Sequence, residues 1–291
     1  MRYGDANREF VTAIGDLLMN RFQPKVNQDI LTALASDNHT PFALLHRPDA
    51  LGKDNIDVLL GEVSFVESLA DISLPDEPYD EQQAIQDKLV LLPYRQITER
   101  GFQAVDDDAP LAVMDIQRQE IRSVEQVLAA ISDSELSLAQ AGFDMEDTQY
   151  AAMVRQVLEQ EIGRGKGASF VLKRSFTGQF KQAGVASALS IFKNLMSQSS
   201  GAYWVFIVHT GERTLVGATP ERHITLKQGT AVMNPISGTY RYPPEGVQLS
   251  EIKQFLTDKK EADELYMVVD EELKTMAQVC DFGGSVKGPM L

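Results

Sequence analysis

Residues 202–243 constrain the fold most, because short apolar segments follow one another there with only tight turns between them. The segment AYWVFIVHT is followed by the turn GERT, and LVGATPERHITLKQGTAVMN continues in the same manner. Strands that are joined by tight turns pair antiparallel, since parallel neighbours need a crossover of a dozen or more residues. The sequence therefore predicts an antiparallel sheet in this part of the chain.

The apolar pattern stops abruptly at the sequence NPISGTYRYP, residues 234–243. Pro235 cannot donate a hydrogen bond to a strand neighbour, so normal pairing cannot continue through it. Gly238 adds a backbone freedom that no other residue has. We therefore expect a loop here that exposes backbone amides.

The composition is that of a globular protein, and its charge excludes several partners. The 291 residues carry a formal net charge of -15, which would repel nucleic acids and anionic membranes. Cys280 is the only cysteine, so an intrachain disulfide is impossible and a zinc-thiolate site is disfavoured. No stretch approaches the roughly 18 apolar residues of a membrane span, and the N-terminus lacks the apolar segment of a signal peptide. These features predict a soluble, cytoplasmic protein that binds neither nucleic acid nor membrane.

Helices and strands are also predicted outside the turn-rich region. Apolar residues at helical spacing predict a helix within residues 7–36, and PFALLHRPD and NIDVLLGEV predict two strands of a meander. Helices are expected around SVEQVLAAI and SALSIFKNLMSQ, and a strand is expected at ASFVLKRSF. A long helical region should run from Ser250 to about Cys280, with a break near Lys259.

Three glutamates are candidates for chemistry. Glu261 and Glu264 are three residues apart on a predicted helix, so they share a face, and such crowding of like charge calls for a compensating cation. Mg²⁺ suits paired carboxylates, although a solvated acidic face explains the same pattern in so acidic a chain. Glu221, after Pro220, could serve as a general acid or lie unused on the surface. His209 and His223 show no metal-ligand spacing and are interpreted as core or surface residues.

Three segments in order, GATPERHITL, MNPISGTYRYP and DKKEADELYMVVDEEL, resemble the chorismate-utilising family. This family contains anthranilate synthase large subunits and the aminodeoxychorismate, isochorismate and salicylate synthases. The likeness covers about residues 41–291 and is strongest to the phenazine-biosynthesis branch, which is similar to 2-amino-2-deoxyisochorismate synthase. The resemblance implies an α+β fold in which two large antiparallel sheets pack together with helices outside, and in this chain we expect the fold to be incomplete at the C-terminus.

The resemblance also implies a domain organisation. Residues 41–291 correspond to the N-terminal part of the chorismate-binding domain. Residues 1–40 have no placed counterpart in the resemblance, and we expect them to form an N-terminal helical extension that serves dimer or domain packing. The family continues beyond the counterpart of residue 291 with further active-site residues and, in phenazine-type proteins, a glutaminase domain. This chain is therefore expected to hold part of a larger site, as a fragment, a truncated product or one piece of a split enzyme.

Residue roles follow from the same resemblance. Gly238 and Thr239, with Ser237 beside them, correspond to the loop that contacts chorismate. Glu221 corresponds to the general acid that assists departure of the C4 hydroxyl.

Glu264 and Glu261 correspond to the helix glutamates beside Mg²⁺, with Glu264 the favoured ligand. Ser169 stands in the strand where relatives that use water carry a lysine base, and Lys166 and Lys173 lie close by. The serine favours ammonia over water as the nucleophile.

The implied function is Mg²⁺-dependent addition of ammonia to chorismate. The product is 2-amino-2-deoxyisochorismate, or anthranilate where pyruvate is also eliminated. The ammonia would come from glutamine through a glutaminase domain or subunit, and the resemblance leaves a homodimer open. Two alternatives stay open: a binding or assembly partner of the same fold without catalysis, and an isochorismate synthase-type enzyme that uses water.

Overall fold

The computed structural model describes residues 39–74, 88–182, 184–199 and 201–287, and the predicted helix within residues 7–36 lies outside them. In this part of the chain, strands form where β-branched and aromatic residues alternate between two faces. The strands are β1 (Phe42–His46), β2 (Asn55–Val66), β3 (Lys88–Leu91), β4 (Leu111–Ser123), β5 (Leu138–Phe143), β6 (Phe176–Phe180), β7 (Trp204–His209), β8 (Thr214–Thr219), β9 (Arg222–Lys227) and β10 (Thr230–Asn234).

Helices connect and cover these strands. They are α1 (Pro48–Leu51), α2 (Val124–Ala130), α3 (Asp147–Gln156), α4 (Val185–Gln198), α5 (Leu249–Thr257) and α6 (Lys259–Val279). A π-helical turn at Val157–Glu161 and a 3₁₀ turn at Ile162–Arg164 extend α3, and further 3₁₀ turns lie at Leu69–Asp71 and Tyr94–Arg100.

The central element is a six-stranded antiparallel sheet in the order β3-β4-β2-β1-β7-β8. The predicted meander is confirmed, because β1 pairs with β2 and Phe42 lies opposite Leu60. Two smaller sheets, β9–β10 and β5–β6, contain two strands each. The α+β class and the antiparallel pairing are thus as predicted, while the second large sheet that the resemblance implied is not formed within the described residues.

Both faces of the six-stranded sheet bury apolar side chains. Phe42 and Leu44 of β1 point to one face, where they join a cluster that includes Phe192 of α4. Ala43 and Leu45 alternate to the opposite face with Met114 of β4. Full burial of a side chain such as Phe192 stabilises the fold by about 1.5–3 kcal/mol. The six-stranded sheet is therefore the stable core of the fold, and the candidate site lies next to it.

The C-terminal helical region is broken as predicted. Helix α5 ends at Thr257 and α6 begins at Lys259, so a single residue, Asp258, joins them. The Asp258 carboxylate accepts hydrogen bonds from the backbone N–H groups of Lys260 (2.9 Å) and Glu261 (3.2 Å). This N-cap satisfies two of the amides that a helix start leaves without partners, and it fixes the corner between the two helices.

The strand predicted at ASFVLKRSF is wrong for most of its length. Residues 168–175 are irregular, and β6 begins only at Phe176, where Phe143 of β5 lies opposite. No strand pairs with the irregular segment among the residues that the structure describes, and the Val171 side chain is exposed. Ser169 is therefore exposed on an irregular segment and not on a strand.

Candidate active site

The turn between β8 and β9 presents the Glu221 side chain to solvent. Pro220 ends the pairing of β8, and the backbone N–H of Glu221 donates to Thr219 Oγ1 over 3.2 Å. The exposed Glu221 carboxylate accepts no hydrogen bond from the part of the chain that the structure describes. Its oxygens are thus available to a substrate, as a general acid requires.

The next residue, Arg222, ties this turn to the six-stranded sheet. Its guanidinium pairs with the Asp49 carboxylate of α1 and lies over the Tyr203 ring, 5.0 Å from the ring centroid. Because α1 directly follows β1, these contacts connect the β9–β10 hairpin to the centre of the fold. The position of Glu221 is therefore set by rigid elements and not by the turn alone.

The loop predicted to expose backbone amides begins at the same end of the hairpin. Asn234, the last residue of β10, lies opposite Arg222, the first residue of β9. The turn with Glu221 and the loop of residues 235–240 therefore leave the hairpin side by side. The pairing continues no further, as predicted for Pro235.

Gly238 lies against the Glu261 side chain of α6. A Cβ atom added at Gly238 would lie 1.9 Å from Glu261 Oε2 and 3.2 Å from Phe255 Cζ. A side chain at this position would have to displace the Glu261 carboxylate, so glycine allows the close approach of the backbone to that carboxylate. Two segments selected separately in the sequence thus meet in the fold.

The Glu261 carboxylate is only partly satisfied. Its Oε1 atom accepts a hydrogen bond from Lys260 Nζ over 2.8 Å, whereas Oε2 is buried and has no hydrogen-bond partner. Lys260 Nζ also lies 3.0 Å from Glu264 Oε2. The hydrogen bonds with Glu261 and Glu264 raise the pKa of Lys260 above its ordinary value, so the lysine stays charged between the two carboxylates.

The residues present suit a hard divalent cation with few protein ligands. Within the described ranges, no group of three or more His, Cys, Asp or Glu side chains is arranged to hold a metal ion. Mg²⁺ usually takes one or two carboxylates and completes its shell with water and substrate oxygens. The pair formed by Glu261 and Glu264, with one buried oxygen left without a partner, fits that requirement.

Comparison with known proteins identifies the family. A family model described as chorismate binding enzyme matches residues 23–289. The chain belongs to this family. Two relatives, both named "Anthranilate synthase, phenazine specific", come from Pseudomonas chlororaphis (55% identical) and Pseudomonas fluorescens (54% identical). Each alignment covers 86% of this chain but 39% of the relative, so the chain spans well under half the length of these proteins.

A solved structure supports the fold of this chain. DhbC from Bacillus anthracis, assigned as a 2,3-dihydroxybenzoate-specific isochorismate synthase, superposes with a TM-score of 0.56 over 86% of this chain and 63% of its own. At 16% sequence identity the likeness concerns the fold alone.

The family match begins at residue 23, and the domain boundary predicted at residue 40 stays a prediction.

The remaining predicted site residues divide between the loop and a separate segment. Ser237 is half-buried and Thr239 is exposed, each next to Gly238 in the loop. Ser169 is exposed on the irregular segment, and no hydrogen bond joins it to another predicted site residue among those described. Its role as the counterpart of a lysine base stays a prediction.

The two histidines are placed as interpreted. His209 is buried, and its Nδ1 atom lies 2.8 Å from Thr214 Oγ1. His223 is exposed on β9.

No helix of the described ranges combines the length and the apolar character needed to cross a bilayer.

Sequence reasoning missed the three side chains that attach the loop to α5, which are Tyr240 of the loop and Glu251 and Phe255 of the helix. Tyr240 donates a hydrogen bond from its hydroxyl to Glu251 Oε2 over 2.6 Å, and its ring lies 5.8 Å from the Phe255 ring. This hydrogen bond is the main cause that raises the pKa of Tyr240 to about 12. Glu251 and Phe255 are four residues apart and therefore share one face of α5, which indicates that this face contacts another segment. Only the fold shows that this segment is the loop.

Proposed function

We propose that this chain supplies the substrate loop, the general acid and the Mg²⁺ carboxylates of a chorismate aminase. The observation that carries the proposal is the contact between Gly238 and Glu261, where a buried carboxylate oxygen without a partner faces a backbone that has no side chain. Family membership and the similarity to phenazine-specific anthranilate synthases supply the substrate class. The reaction would belong to phenazine biosynthesis.

The loop would hold the anionic end of chorismate. Backbone N–H groups around Ser237, Gly238 and Thr239 can approach a carboxylate closely, because the glycine adds no side chain. Glu261 and Glu264 would hold Mg²⁺, which supplies charge neutralisation for the crowded anions. Glu261 and the loop backbone would then lie side by side at the anionic end of the substrate.

Glu221 would act as the general acid. Ammonia attacks C2 of chorismate and the new C–N bond forms while both ring double bonds shift, C1=C2 to C1=C6 and C5=C6 to C4=C5, and the C4–O bond breaks. Glu221 gives its proton to the departing hydroxyl, which leaves as water, and the added nitrogen loses a proton to solvent. The product is 2-amino-2-deoxyisochorismate, and anthranilate would follow where pyruvate is also eliminated. Exposure of Glu221 and the absence of hydrogen bonds to it from the described residues suit this role.

The partners follow from this chemistry. Ammonia would come from glutamine through a glutaminase domain or subunit, and Ser169 would lie on the side of the nucleophile in place of a lysine base. We place the reaction in the cytoplasm, which suits a chain with one cysteine and a net charge of -15. A homodimer, the domain boundary at residue 40, and a role of residues 1–40 in packing belong to the same proposal.

Chorismate binding and turnover test the proposal. The purified protein is titrated with chorismate in the presence and absence of Mg²⁺, and is then incubated with chorismate, Mg²⁺ and ammonium chloride while products are followed by mass spectrometry. Binding that Mg²⁺ strengthens supports the site, and an aminated product supports the reaction. A product formed with water alone would show an isochorismate-type enzyme. Because the aligned region covers 39% of the phenazine-specific relative, both measurements are repeated with the remaining part of that relative added, and absence of binding at millimolar chorismate in the mixture would refute the proposal.

Exchange of Glu221 for glutamine is expected to reduce the rate of amination by about 10²–10⁴-fold, because the amide cannot protonate the departing hydroxyl. Chorismate affinity should change far less, since the exchange preserves the shape of the side chain. Glu212→Gln is the matched control, because Glu212 is also an exposed glutamate in a turn, but at the opposite end of β8. Equal rates in Glu221→Gln and Glu212→Gln would exclude Glu221 as the acid.

Exchange of Lys260 for methionine is expected to raise the affinity for Mg²⁺ in the presence of chorismate by about two- to five-fold, the small scale typical of exposed ion pairs. The lysine ammonium contacts both proposed ligands and therefore competes with the metal for their charge. Lys259→Met removes the same charge one residue earlier, where the lysine pairs with Asp263. Calorimetric titration measures both variants, and an equal gain in each would assign the effect to net charge alone.

A further inference from the structure

The loop of residues 235–240 is attached to one face of α5. Tyr240 donates to Glu251 Oε2 over 2.6 Å. Phe255, one turn further along the same face, lies 5.8 Å from the Tyr240 ring and would be 3.2 Å from a Cβ atom at Gly238. The hydrogen bond is the one side-chain hydrogen bond that the described residues show between this loop and the helices. One helix face thus contacts the middle and the C-terminal end of the loop that carries Ser237, Gly238 and Thr239.

The same helix is coupled to Glu261 through a short, capped corner. Only Asp258 separates α5 from α6, and its carboxylate accepts from the Glu261 backbone N–H over 3.2 Å. The loop and Glu261 are therefore held on a common frame: Tyr240 attaches the loop to α5, and Asp258 attaches the start of α6 to the end of α5. The distance between Gly238 and Glu261 depends on both attachments.

We infer that the Tyr240–Glu251 hydrogen bond is a positioning clamp that sets the approach of Gly238 to Glu261, and through it the coupling between chorismate and Mg²⁺. The inference rests on the proposed function. Neither residue contacts the reacting atoms in this role, because the Tyr240 hydroxyl and the Glu251 carboxylate are hydrogen-bonded to each other. A hydrogen bond to an ionised acceptor is roughly twice as strong as one between neutral groups, which suits a clamp.

Further features of the clamp favour positioning over general packing. The bond with Glu251 raises the pKa of Tyr240 to about 12, so the hydroxyl stays a donor well into the alkaline range. The Tyr242 ring lies 5.8 Å from the Tyr240 ring, yet Tyr242 itself is exposed. Tyr242 therefore offers a matched control, a tyrosine two residues away that lacks the bond to α5.

The test compares the affinity for chorismate with and without Mg²⁺ in Tyr240→Phe, Glu251→Gln and Tyr242→Phe. The phenylalanine retains the ring and removes only the hydroxyl. We expect the enhancement of chorismate affinity by Mg²⁺ to fall by about five- to ten-fold in Tyr240→Phe, because the loop no longer holds Gly238 against Glu261. Glu251→Gln retains a neutral acceptor and should lose less, and Tyr242→Phe should match the unsubstituted protein.

The readout separates positioning from a merely structural role. Loss of the folded fraction would lower chorismate binding equally with and without Mg²⁺, whereas loss of positioning lowers only the enhancement, since the coupling between two ligands is a property of their joint site. An unchanged enhancement in Tyr240→Phe, measured while the unsubstituted protein binds chorismate, would overturn the clamp alone. Failure of the unsubstituted protein to bind chorismate would instead overturn the proposed function.

Discussion

Alanine at position 238 is expected to lower the affinity for chorismate in the presence of Mg²⁺ by at least about ten-fold, the scale seen when groups around metal ligands are displaced. The added methyl group would lie 1.9 Å from Glu261 Oε2, so the carboxylate must rotate away. A terminal carboxylate moves at little cost to folding, and we expect the free energy of unfolding to change by no more than about 1 kcal/mol. The measurements are calorimetric titration with chorismate and denaturant unfolding of the same variant.

The cause of this loss can be isolated by a double-mutant cycle. In the Glu261→Ala background the methyl group of Gly238→Ala has no carboxylate to displace, so adding it should cost little further affinity. Gly142→Ala is the control, because a Cβ atom at Gly142 meets no atom within 4 Å. Additive losses in the two backgrounds would show that Gly238 acts independently of Glu261.

The contact between Gly238 and Glu261 also marks the limit of what the sequence could predict. The loop was predictable because Pro235 stops strand pairing and a glycine follows it, and the helix break was predictable because Asp258 is a good N-cap. These signals are local. The packing of the loop on α5 and α6 depends on the conformation of residues 240–249. Hydrophobic periodicity does not predict that conformation.

Two errors in the strand prediction have a physical cause. Strand β4 was missed because charged residues occupy its C-terminal half, where Arg118, Glu120 and Arg122 pair with one another along one face. The ion pairs compensate these charges within the strand, whereas the alternation of apolar and polar residues alone assigns so charged a segment to a loop. The strand expected around Ser169 failed for the opposite reason, since its apolar residues find no strand to pair with in the described part of the chain.

Substitution of Asp57 by alanine is expected to lower the free energy of unfolding by about 3–5 kcal/mol, the range for breaking a buried ion pair. Asp57 lies in β2 with its side chain fully buried, and Arg47 is only 16% exposed. The Asp57 carboxylate accepts from Arg47 Nε (2.8 Å) and Nη2 (2.5 Å), and its other oxygen accepts from Gln119 over 2.9 Å. Alanine leaves these buried donors without the carboxylate that compensates them.

The single tryptophan provides the measurement. Arg47 lies over the Trp204 ring, 5.4 Å from its centroid, so the fluorescence of Trp204 reports on this part of the sheet during denaturant unfolding. Asp54→Ala is the control, because Asp54 is exposed, and its effect should stay within about 0.5 kcal/mol.

A second variant tests the origin of the loss. In Arg47→Met combined with Asp57→Leu, both charges are removed and apolar groups fill the site, so the double variant should be more stable than Asp57→Ala alone. The double variant could instead unfold at the same denaturant concentration as Asp57→Ala or at a lower one. In that case removal of the second charge recovers no stability, and the ion pair stabilises the sheet by more than the neutralisation of one buried charge by the other. Equal stability of Asp57→Ala and Asp54→Ala would contradict the buried network altogether.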